Sequence, residues 1–345
     1  MGTGTVGHYQ SDPRYLSPWF TLVHSSFLKG NIMDKKLISI VVPMYYEEQV
    51  ALEFYKRLTK AVSGKSFDYE ILFVNDGSKD KTEQILKELA EKDKKVKVIN
   101  FARNFGHQVA VTAGIYNALG DAVVLIDADL QDPPELIPEF VEKWQKGYQV
   151  VYAKRLKRKG ESFFKKVSAK YFYKVLNFLS DTDIPKDTGD FRLMDRCVVE
   201  VFKLMPEKHK FIRGMVSWIG FDQTFIEYER DERFAGETKY PLKKMLKFAL
   251  DGILSFSTKP LKLVTEIGLL TVVMSFFVLL FALYMKFSGQ SELGWTSIMV
   301  VVTFFSGVQL LSIGILGEYI GRIYDETRNR PAFIVKSKLN IDGEK

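Results

Sequence analysis

Cysteine is almost absent from this sequence: Cys197 is the only one among 345 residues. A single cysteine excludes an internal disulfide and any metal site built from several thiolates, and it suits a reducing compartment. We interpret Cys197 as a small buried side chain rather than a reactive thiol. Residues 1–33 also lack a sustained apolar run and a small-residue cleavage pattern, so we predict no signal peptide. Residues 1–35 are interpreted as a leader or an appended segment.

Two common nucleotide-binding motifs are missing as well. The first β-rich run is followed by PMYYEE, where a dinucleotide-binding dehydrogenase would have G-x-G-x-x-G, and no G-x-x-x-x-G-K-[ST] occurs. The net charge of +7 is not arranged as a basic stripe between stacking aromatic residues, so we expect no nucleic-acid partner. Lysine and arginine gather instead beside apolar segments, which indicates an anionic membrane surface as the partner.

The sequence does contain two long apolar segments near its C-terminus. Residues 263–287 and 295–316 are each long enough to cross about 30 Å of hydrocarbon as a helix. Basic residues precede the first segment and follow the second, whereas the connection 288–294 has none, so both ends are expected in the cytoplasm. We predict a transmembrane hairpin of two spans over 263–320 in a bacterial plasma membrane, followed by a cytoplasmic tail, 321–345. Two buried helices of a soluble domain are the alternative.

The residues just before the hairpin have a different pattern. Between Tyr240 and Lys262, lysines alternate with apolar residues at helical spacing, which is typical of a helix that lies in the membrane interface. We therefore predict interfacial amphipathic helices over 241–262. A helix that faces an ordinary core is the alternative.

From Lys36 onward, β-rich runs alternate with helical stretches. LISIVVPM, YEILFVND, VKVINF and AVVLIDADL are predicted strands, and a helical stretch follows each of the first three. This alternation predicts an α/β domain with a parallel sheet and helices on both faces. In such sheets ligands bind at the carboxyl ends of the strands, and polar clusters fall there at residues 43–47, 75–78 and 127–131.

The predicted fourth strand ends in acidic residues. If this end is extended, residues two apart face the same way, so Asp127, Asp129 and Gln131 offer oxygen ligands to one point. Hard oxygen ligands suit Mg²⁺ or Mn²⁺ held jointly with a diphosphate, and the metal would neutralise the departing nucleotide diphosphate. Taken alone, a D-x-D pair could equally cap the next helix.

In combination these motifs resemble the inverting glycosyltransferases of family 2, which have the GT-A fold. The residues that carry the resemblance are Pro43, Tyr45, Glu47, Asn75 to Ser78, Asp127, Asp129 and Gln131. The resemblance implies a GT-A catalytic domain over 36–240, with Asp127 near the ribose or diphosphate of the donor. It implies that the nucleoside is bound by Pro43, Tyr45, Glu47 and Asp76. Asp76 could equally be the aspartate of a turn-forming Asp-Gly pair.

Within this family the acceptor decides the subgroup. Polymer-forming members carry Q-x-x-R-W and need a general base for a sugar hydroxyl, whereas this sequence has FIRGMVSWIG from Phe211. A polyprenyl monophosphate is largely a dianion already, if its second pKa is about 6 as in phosphoserine. Such a nucleophile needs cations to hold it rather than a base.

Several residues match the acceptor side of polyprenyl phosphate sugar transferases. Arg155 matches the S-R position of these enzymes, and TGDFRLMDR contains Asp190, which could orient acceptor or donor and which we favour less as a base. The expected ligands of the acceptor phosphate are Arg155, Lys165, Lys166, Ser168 and Arg192. For the two lysines, a solvated basic face or a patch for anionic lipid is the alternative.

The remaining candidates lie on either side of this segment. RFAGETKYP resembles a segment of the same enzymes and implies that Arg233 and Lys239 neutralise the donor diphosphate. His107 is interpreted as structural. The catalytic candidates are Asp127, Asp129 and Asp190.

The sequence from Gly317, GEYIGRIYDETRNRP, resembles the bactoprenol glucosyltransferase subgroup. We therefore expect an inverting transfer of a hexose from UDP-glucose to an undecaprenyl-type polyprenyl phosphate. One alternative is a GDP-mannose-dependent transferase that acts on dolichyl or polyprenyl phosphate. Another is a membrane scaffold that binds nucleotide-sugar without turnover. A homo-oligomer is compatible with each of these.

Overall fold

The computed structural model describes residues 35–156, 188–208, 210–229, 259–288 and 294–341. Its strands are β1 Leu37–Met44, β2 Asp68–Asn75, β3 Val96–Phe101, β4 Ala122–Leu125, β5 Val150–Arg155, β6 Thr188–Asp195, β7 Gln223–Tyr228 and β8 Val335–Leu339. Its helices are α1 Ala51–Val62, α2 Thr82–Lys92, α3 His107–Asn117, α4 Ile137–Gln145, α5 Arg196–Leu204, α6 Ile212–Ile219, α7 Lys259–Phe287 and α8 Trp295–Thr327. The predicted leader and nearly all of the predicted interfacial segment 241–262 lie outside the described residues.

One sheet contains all of these strands, in the order β7-β5-β6-β4-β1-β2-β3-β8. β4, β1, β2 and β3 are parallel to one another, as are β5 and β7. β6 runs antiparallel to β4 and β5, and β8 runs antiparallel to β3. The predicted parallel arrangement of the first four strands is confirmed, and their carboxyl ends therefore meet at one edge of the sheet.

Side chains that alternate along the central strands place helices on both faces. On β1, Ile38, Ile40, Val42 and Met44 belong to a core cluster shared with α1, α2 and α4. Val41 belongs instead to a cluster that includes residues of α3, α5 and α6, with Cys197 half-buried against it. Nearly continuous apolar strands are what a sheet covered on both faces requires. The central strands therefore form the middle layer of the domain.

The helices α7 and α8 contain the two long apolar segments. They have 29 and 33 residues, so each extends beyond the segment predicted from sequence. Among the described residues, one helical stretch, Phe304–Thr327, is long and apolar enough to cross a membrane, and Val264–Met274 is a shorter apolar helix. The structure thus contains one candidate span by length and composition, and the two predicted spans stay a prediction.

The residues after α8 do not form a separate tail. Val335–Leu339 adds β8 to the sheet by pairing with β3, so the predicted division between a domain at 36–240 and a tail at 321–345 is wrong. Phe333 stacks on Phe101 with ring centroids 5.1 Å apart. Lys208 donates a hydrogen bond of 2.7 Å from Nζ to the Asp325 carbonyl at the end of α8. The catalytic domain therefore includes a strand that lies beyond the apolar helices in sequence.

Candidate active site

The pairing of the parallel strands brings the predicted site loops together. Pro43 of β1 pairs with Val74 of β2, and Val41 of β1 pairs with Leu125 of β4. The loops that follow these three strands therefore begin side by side, and the loop after β3 lies next to that of β2. This arrangement agrees with the predicted convergence of three polar clusters, and it adds the residues that precede and begin α3.

Asp76 binds the loop that follows β3. This side chain is 3% exposed, and its carboxylate accepts hydrogen bonds from the backbone N–H of Phe105 at 2.6 Å and of Gly106 at 2.9 Å. The side-chain amide of Asn104 donates a third bond at 2.7 Å. Burial raises the pKa of Asp76, although the backbone donors lower it. Asp76 thus holds one loop against another, and its predicted contact with the nucleoside stays a prediction.

The residue after Asp76 must be glycine for two reasons. Gly77 has φ +68°, a conformation that side chains with a Cβ rarely adopt. A Cβ on Gly77 would also lie 2.7 Å from the backbone nitrogen of Asn104. The chain bends at Gly77, in keeping with the alternative interpretation of Asp76-Gly77 as a turn-forming pair, and this bend is also the surface against which the loop after β3 packs.

The loop between β1 and α1 contains the other predicted nucleoside residues. The Tyr45 side chain is 38% exposed, and its ring meets the Tyr46 ring edge-on with centroids 4.6 Å apart. Tyr46, at φ +54°, donates its backbone N–H to Ser78 Oγ at 3.1 Å. Glu47 donates its backbone N–H to Thr82 Oγ1 at 3.0 Å. These bonds fix the loop against the start of α2 while the Tyr45 ring stays accessible from solvent.

The acidic residues after β4 lie on a turn. β4 ends at Leu125, residues 128–130 form the turn, and Leu130 has φ +59°, so the predicted extended strand end is wrong. Burial nevertheless alternates, because Ala128 and Leu130 point into the core. The partly exposed side chains are those of Asp127, Asp129 and Gln131. The three predicted metal ligands therefore share the open side of the turn.

The chemistry of this donor set suits a hard divalent cation, since carboxylate and amide oxygens are ligands that Mg²⁺ prefers. Burial raises the pKa of Asp127 to about 6; His107 lowers it, while Asp190, Asp132 and Asp129 raise it. A cation would relieve this repulsion between carboxylates. Within the described ranges, no group of three or more His, Cys, Asp and Glu side chains is arranged to hold a metal ion. A metal ion at this turn therefore stays a prediction.

A cluster of charged side chains surrounds Asp190. His107 Nε2 lies 3.3 Å from Asp190 Oδ2 and 3.6 Å from Asp127 Oδ1. Arg213 Nε lies 2.7 Å from Asp190 Oδ1. Gln108 lies beside them, with Nε2 3.4 Å from Asp190 Oδ2 and with Oε1 accepting the backbone N–H of Ile212 at 3.1 Å. The helices α3 and α6 thus meet at a carboxylate of β6.

The charges in this cluster stabilise one another. Burial lowers the pKa of His107, but the carboxylates of Asp127 and Asp190 have the larger opposite effect and raise this pKa to about 9. Burial raises the pKa of Asp190, yet Arg213 and His107 hold it well below its usual value. His107 is therefore cationic and Asp190 ionised near neutral pH. The interpretation of His107 as a structural residue missed this position between two acidic candidates.

Arg155, at the end of β5, belongs to a second polar group. Its Nε donates to Tyr228 Oη at 3.1 Å, its Nη2 lies 3.7 Å from Asp132 Oδ1, and the Tyr228 hydroxyl donates to Asp132. Burial lowers the pKa of Arg155, but Asp132 raises it overall. A Cβ on Gly189 would lie 2.7 Å from Arg155 Nη2, so the guanidinium passes close to the backbone beside Asp190. Its predicted contact with the acceptor phosphate stays a prediction.

Arg192 lies deeper than the acceptor role requires. Its side chain is 4% exposed, and its Nη2 donates to the Gly189 carbonyl at 3.0 Å. Burial lowers the pKa of Arg192 to about 10, although Asp190 raises it. At this depth the Arg192 charge interacts with Asp190 from the protein interior. This position favours an electrostatic role over direct contact with the acceptor phosphate.

Sequence reasoning missed several residues of the site and named others that the structure does not describe. The sequence predicted no site role for Arg213, Gln108 or Tyr228, and it indicated Asp132 only as a possible helix cap before Pro133 and Pro134. For His107 and Gln108 a signal existed, because they follow the third parallel strand and so lie at the same edge. The predicted ligands outside the described residues are Lys165, Lys166, Ser168, Arg233 and Lys239.

Comparison with known proteins identifies the family. Residues 39–202 match the family model Glycosyl transferase family 2, and residues 259–323 match the model GtrB C-terminal hairpin. The chain is 56% identical over 308 residues to the uncharacterized glycosyltransferase YkcC of Bacillus subtilis, and this alignment covers 89% of the chain and 95% of the relative.

Two further relatives have names that include an acceptor. The chain is 45% identical over 303 residues to the prophage bactoprenol glucosyl transferase homolog of Escherichia coli, covering 87% of this chain and 98% of the relative. It is 46% identical over 303 residues to the bactoprenol glucosyl transferase of Shigella phage SfII, covering 87% and 97%. The resemblance that the sequence motifs indicated is confirmed. With its GT-A-like α/β fold, mostly parallel sheet and GtrB-type C-terminal hairpin, the chain belongs to glycosyl transferase family 2.

Proposed function

We propose that the protein transfers glucose from UDP-glucose to undecaprenyl phosphate, with inversion, at the cytoplasmic face of a bacterial plasma membrane. The cluster of His107, Asp190 and Arg213 at the carboxyl edge of the sheet carries this proposal. Two relatives named as bactoprenol glucosyl transferases or their homologs align over 87% of the chain, which includes the hairpin, and this supports the same acceptor.

The acceptor chemistry follows from the charges. A lipid monophosphate attacks as a dianion and needs cations that position it, and His107 and Arg213 are cations at the open edge. Asp190 is ionised and bound by both, so it orients them and does not remove a proton. Arg155 is proposed to add a third cation from the side of β5, and Lys165, Lys166 and Ser168 are proposed to extend this acceptor site.

On the donor side, the exposed ring of Tyr45 offers a stacking surface for the nucleobase. The backbone bonds of Tyr46 and Glu47 keep this ring in place, and Asp76 keeps the loop after β3 beside it. Arg233 and Lys239 are proposed to neutralise the diphosphate. The attacking phosphate oxygen would form its bond to the anomeric carbon as the bond to the nucleotide diphosphate breaks, so the product has the opposite anomeric configuration.

We also propose a Mg²⁺ or Mn²⁺ ion at the acidic turn, held by Asp129 together with Asp127 and Gln131. When bound, such an ion supplies a Lewis acid that stabilises the departing diphosphate. Asp129→Asn should weaken Mn²⁺ binding in the presence of UDP, measured by calorimetry, and lower the transfer rate by roughly 100- to 1000-fold. Glu139→Gln, at an exposed carboxylate of α4, is the matched control. Unchanged Mn²⁺ affinity in Asp129→Asn would remove the metal from this turn.

The two-span anchor is supported by the position of β8. Strands that precede α7 and the strand that follows α8 lie in one sheet, so the chain between them must return to the side it left. If Phe304–Thr327 crosses the membrane, a second crossing is then needed, and α7 is long enough to supply it. The basic residues that flank the pair place the catalytic domain and both termini in the cytoplasm under this proposal.

A donor screen tests the proposed function. Membranes containing the protein are incubated with undecaprenyl phosphate and radiolabelled UDP-glucose or GDP-mannose, and the lipid fraction is extracted. We expect lipid-soluble label from UDP-glucose. If only GDP-mannose labelled the lipid, the donor would be GDP-mannose and not UDP-glucose. If no nucleotide-sugar labelled the lipid, the result would favour a scaffold that binds nucleotide-sugar without turnover.

A further inference from the structure

Three side chains at the carboxyl edge form a hydrogen-bonded row across neighbouring strands. Asn100 of β3 donates from Nδ2 to Ser337 Oγ of β8 at 3.1 Å. Asn75 of β2 donates from Nδ2 to Asn100 Oδ1 at 3.0 Å. The sheet register explains this row, because Asn75 pairs with Asn100 and Asn100 pairs with Ser337. Directly paired residues project from the same face and lie within reach of one another.

The row continues into the loops of the donor side. Asn75 Oδ1 accepts the backbone N–H of Ser78 at 3.1 Å, and Ser78 Oγ accepts the backbone N–H of Tyr46 at 3.1 Å. Tyr46 adjoins Tyr45, whose ring is the proposed stacking surface. An unbroken series of hydrogen bonds therefore connects β8 to the loop after β1, although two strands lie between β8 and β1.

Burial makes this series sensitive to the loss of any member. Asn75 and Asn100 are 1% and 2% exposed, and Ser78 is 9% exposed. In each asparagine the amide nitrogen donates toward β8 and the amide oxygen accepts from the side of β1. If either amide were rotated by 180°, its N–H groups would face another N–H donor in place of an acceptor. A buried donor that loses its acceptor is costly, and neighbouring bonds in such a network weaken together.

The strand β8 also connects this series to the apolar helices. A short segment, residues 328–334, joins α8 to β8. Within it, Phe333 stacks on Phe101, and the Ile334 carbonyl accepts the backbone N–H of Ala102 at 3.0 Å. The position of β8 is therefore fixed both by the sheet and by the loop that leads to α3.

We propose that Ser337 is a positioning residue for donor binding. Through Asn100, Asn75 and Ser78 it holds the Tyr45–Tyr46 loop in the conformation that accepts the nucleoside. Donor affinity thereby depends on the strand that follows the membrane helices. This inference rests on the proposed nucleotide-sugar donor, and it gives β8 a role beyond closing the edge of the sheet.

Kinetics of the full-length protein in detergent test the proposal. Ser337→Ala should raise the KM for UDP-glucose by roughly three- to tenfold, with kcat and the KM for undecaprenyl phosphate unchanged. Ser337→Thr restores the hydroxyl and should restore the KM. Lys338→Ala, at the next position on β8, removes an exposed side chain outside the row. It should leave kcat and both KM values unchanged. An unchanged donor KM in Ser337→Ala, or an equal increase in Lys338→Ala, would overturn the role of Ser337.

Amide hydrogen exchange without substrate separates this inference from the proposed function. Residues 44–48 should exchange faster in Ser337→Ala than in the wild type and in Lys338→Ala, because the Tyr46 N–H bond is the last bond of the series. If the wild type transfers no sugar, the proposed function fails and the exchange experiment alone decides the structural coupling. Identical exchange in all three proteins would show that β8 does not order this loop.

Discussion

Asp76 and Asp190 lie at the same edge of the sheet but are held in opposite ways. Asp76 accepts hydrogen bonds from the backbone and an amide of one loop, residues 104–106. Asp190 contacts charged side chains that come from two helices, His107 of α3 and Arg213 of α6. Backbone donors cannot leave their acceptor unless the loop itself moves, whereas side-chain cations can turn toward an arriving anion.

This difference separates the two halves of the site. On the proposed donor side, hydrogen bonds with buried partners set the conformation of the loops, so under the proposed function the nucleoside would meet loops that are already ordered. On the proposed acceptor side, His107 and Arg213 contact the Asp190 carboxylate, and under the proposed function the acceptor phosphate would partly replace that carboxylate as their partner. The following substitutions test whether stability and acceptor binding divide along this boundary.

The largest effect is expected at Asp76. Asp76→Ala leaves two backbone N–H groups and the Asn104 amide without their acceptor, which should lower the free energy of unfolding by at least about 3 kcal/mol. Sugar transfer should be lost at the same time, because the loop that leads to His107 is released. Thermal unfolding of the purified protein in detergent measures the first effect, with the exposed Glu139→Gln as control. An unfolding midpoint equal to that of the wild type would contradict the scaffold role.

A smaller loss of stability is expected at Gly77. Gly77→Ala combines a strained positive φ with overlap of the loop at Asn104, and about 2–3 kcal/mol should be lost. Gly64→Ala is a matched control, since Gly64 has φ +70° and an added Cβ would meet nothing within 4 Å. Comparing the two unfolding midpoints isolates the contact between loops. Equal midpoints for the two variants would mean that this contact contributes nothing.

Arg213→Ala tests the acceptor side. Removing this cation should raise the KM for undecaprenyl phosphate by roughly tenfold and leave the KM for UDP-glucose within about twofold. The control is Arg57→Ala, which removes an arginine from a surface pair with Glu135. Initial rates at varied acceptor concentration provide the measurement. A selective rise in the donor KM would place Arg213 on the other half of the site.

The sequence predicted those parts of the molecule that depend on local pattern. Apolar strands alternating with amphipathic helices led to the parallel sheet, and the rule that ligands bind at carboxyl ends led to the loops after β1, β2 and β4. The extended strand end after Leu125 was a wrong extrapolation, because nothing in the local sequence shows that Leu130 takes a positive φ.

What the sequence did not predict depends on contacts between distant residues. Asn100 and Ser337 are 237 positions apart, and the short strand VKSKL has no pattern that specifies β3 as its partner. His107 is 83 positions from Asp190, so its place after the third parallel strand indicated the edge of the sheet at which it lies but not its contact with Asp190. The residue types of the His107, Asp190 and Arg213 cluster can be read from the sequence. Their contact depends on the order of strands in the sheet, which the local sequence does not specify.

The last and smallest effect concerns pH. Asp190 faces His107, Arg213, Arg192 and Asp127, and its pKa lies well below the usual 3.8, so its carboxylate stabilises the fold above pH 3.8 and this contribution is lost as the pH falls through the lowered pKa. The pKa of Asp76 is raised, so the protonation-dependent part of its contribution is complete below pH 3.8 and is lost as the pH rises through the raised pKa, while its hydrogen bonds with residues 104–106 persist. The difference in unfolding midpoint between the wild type and Asp190→Asn should therefore narrow on acidification, by roughly 2–4 °C for each 1 kcal/mol lost. The difference between the wild type and Asp76→Asn should change in the opposite direction. Midpoints recorded from pH 7 to pH 3 measure both, and parallel trends would show that the two carboxylates are held alike.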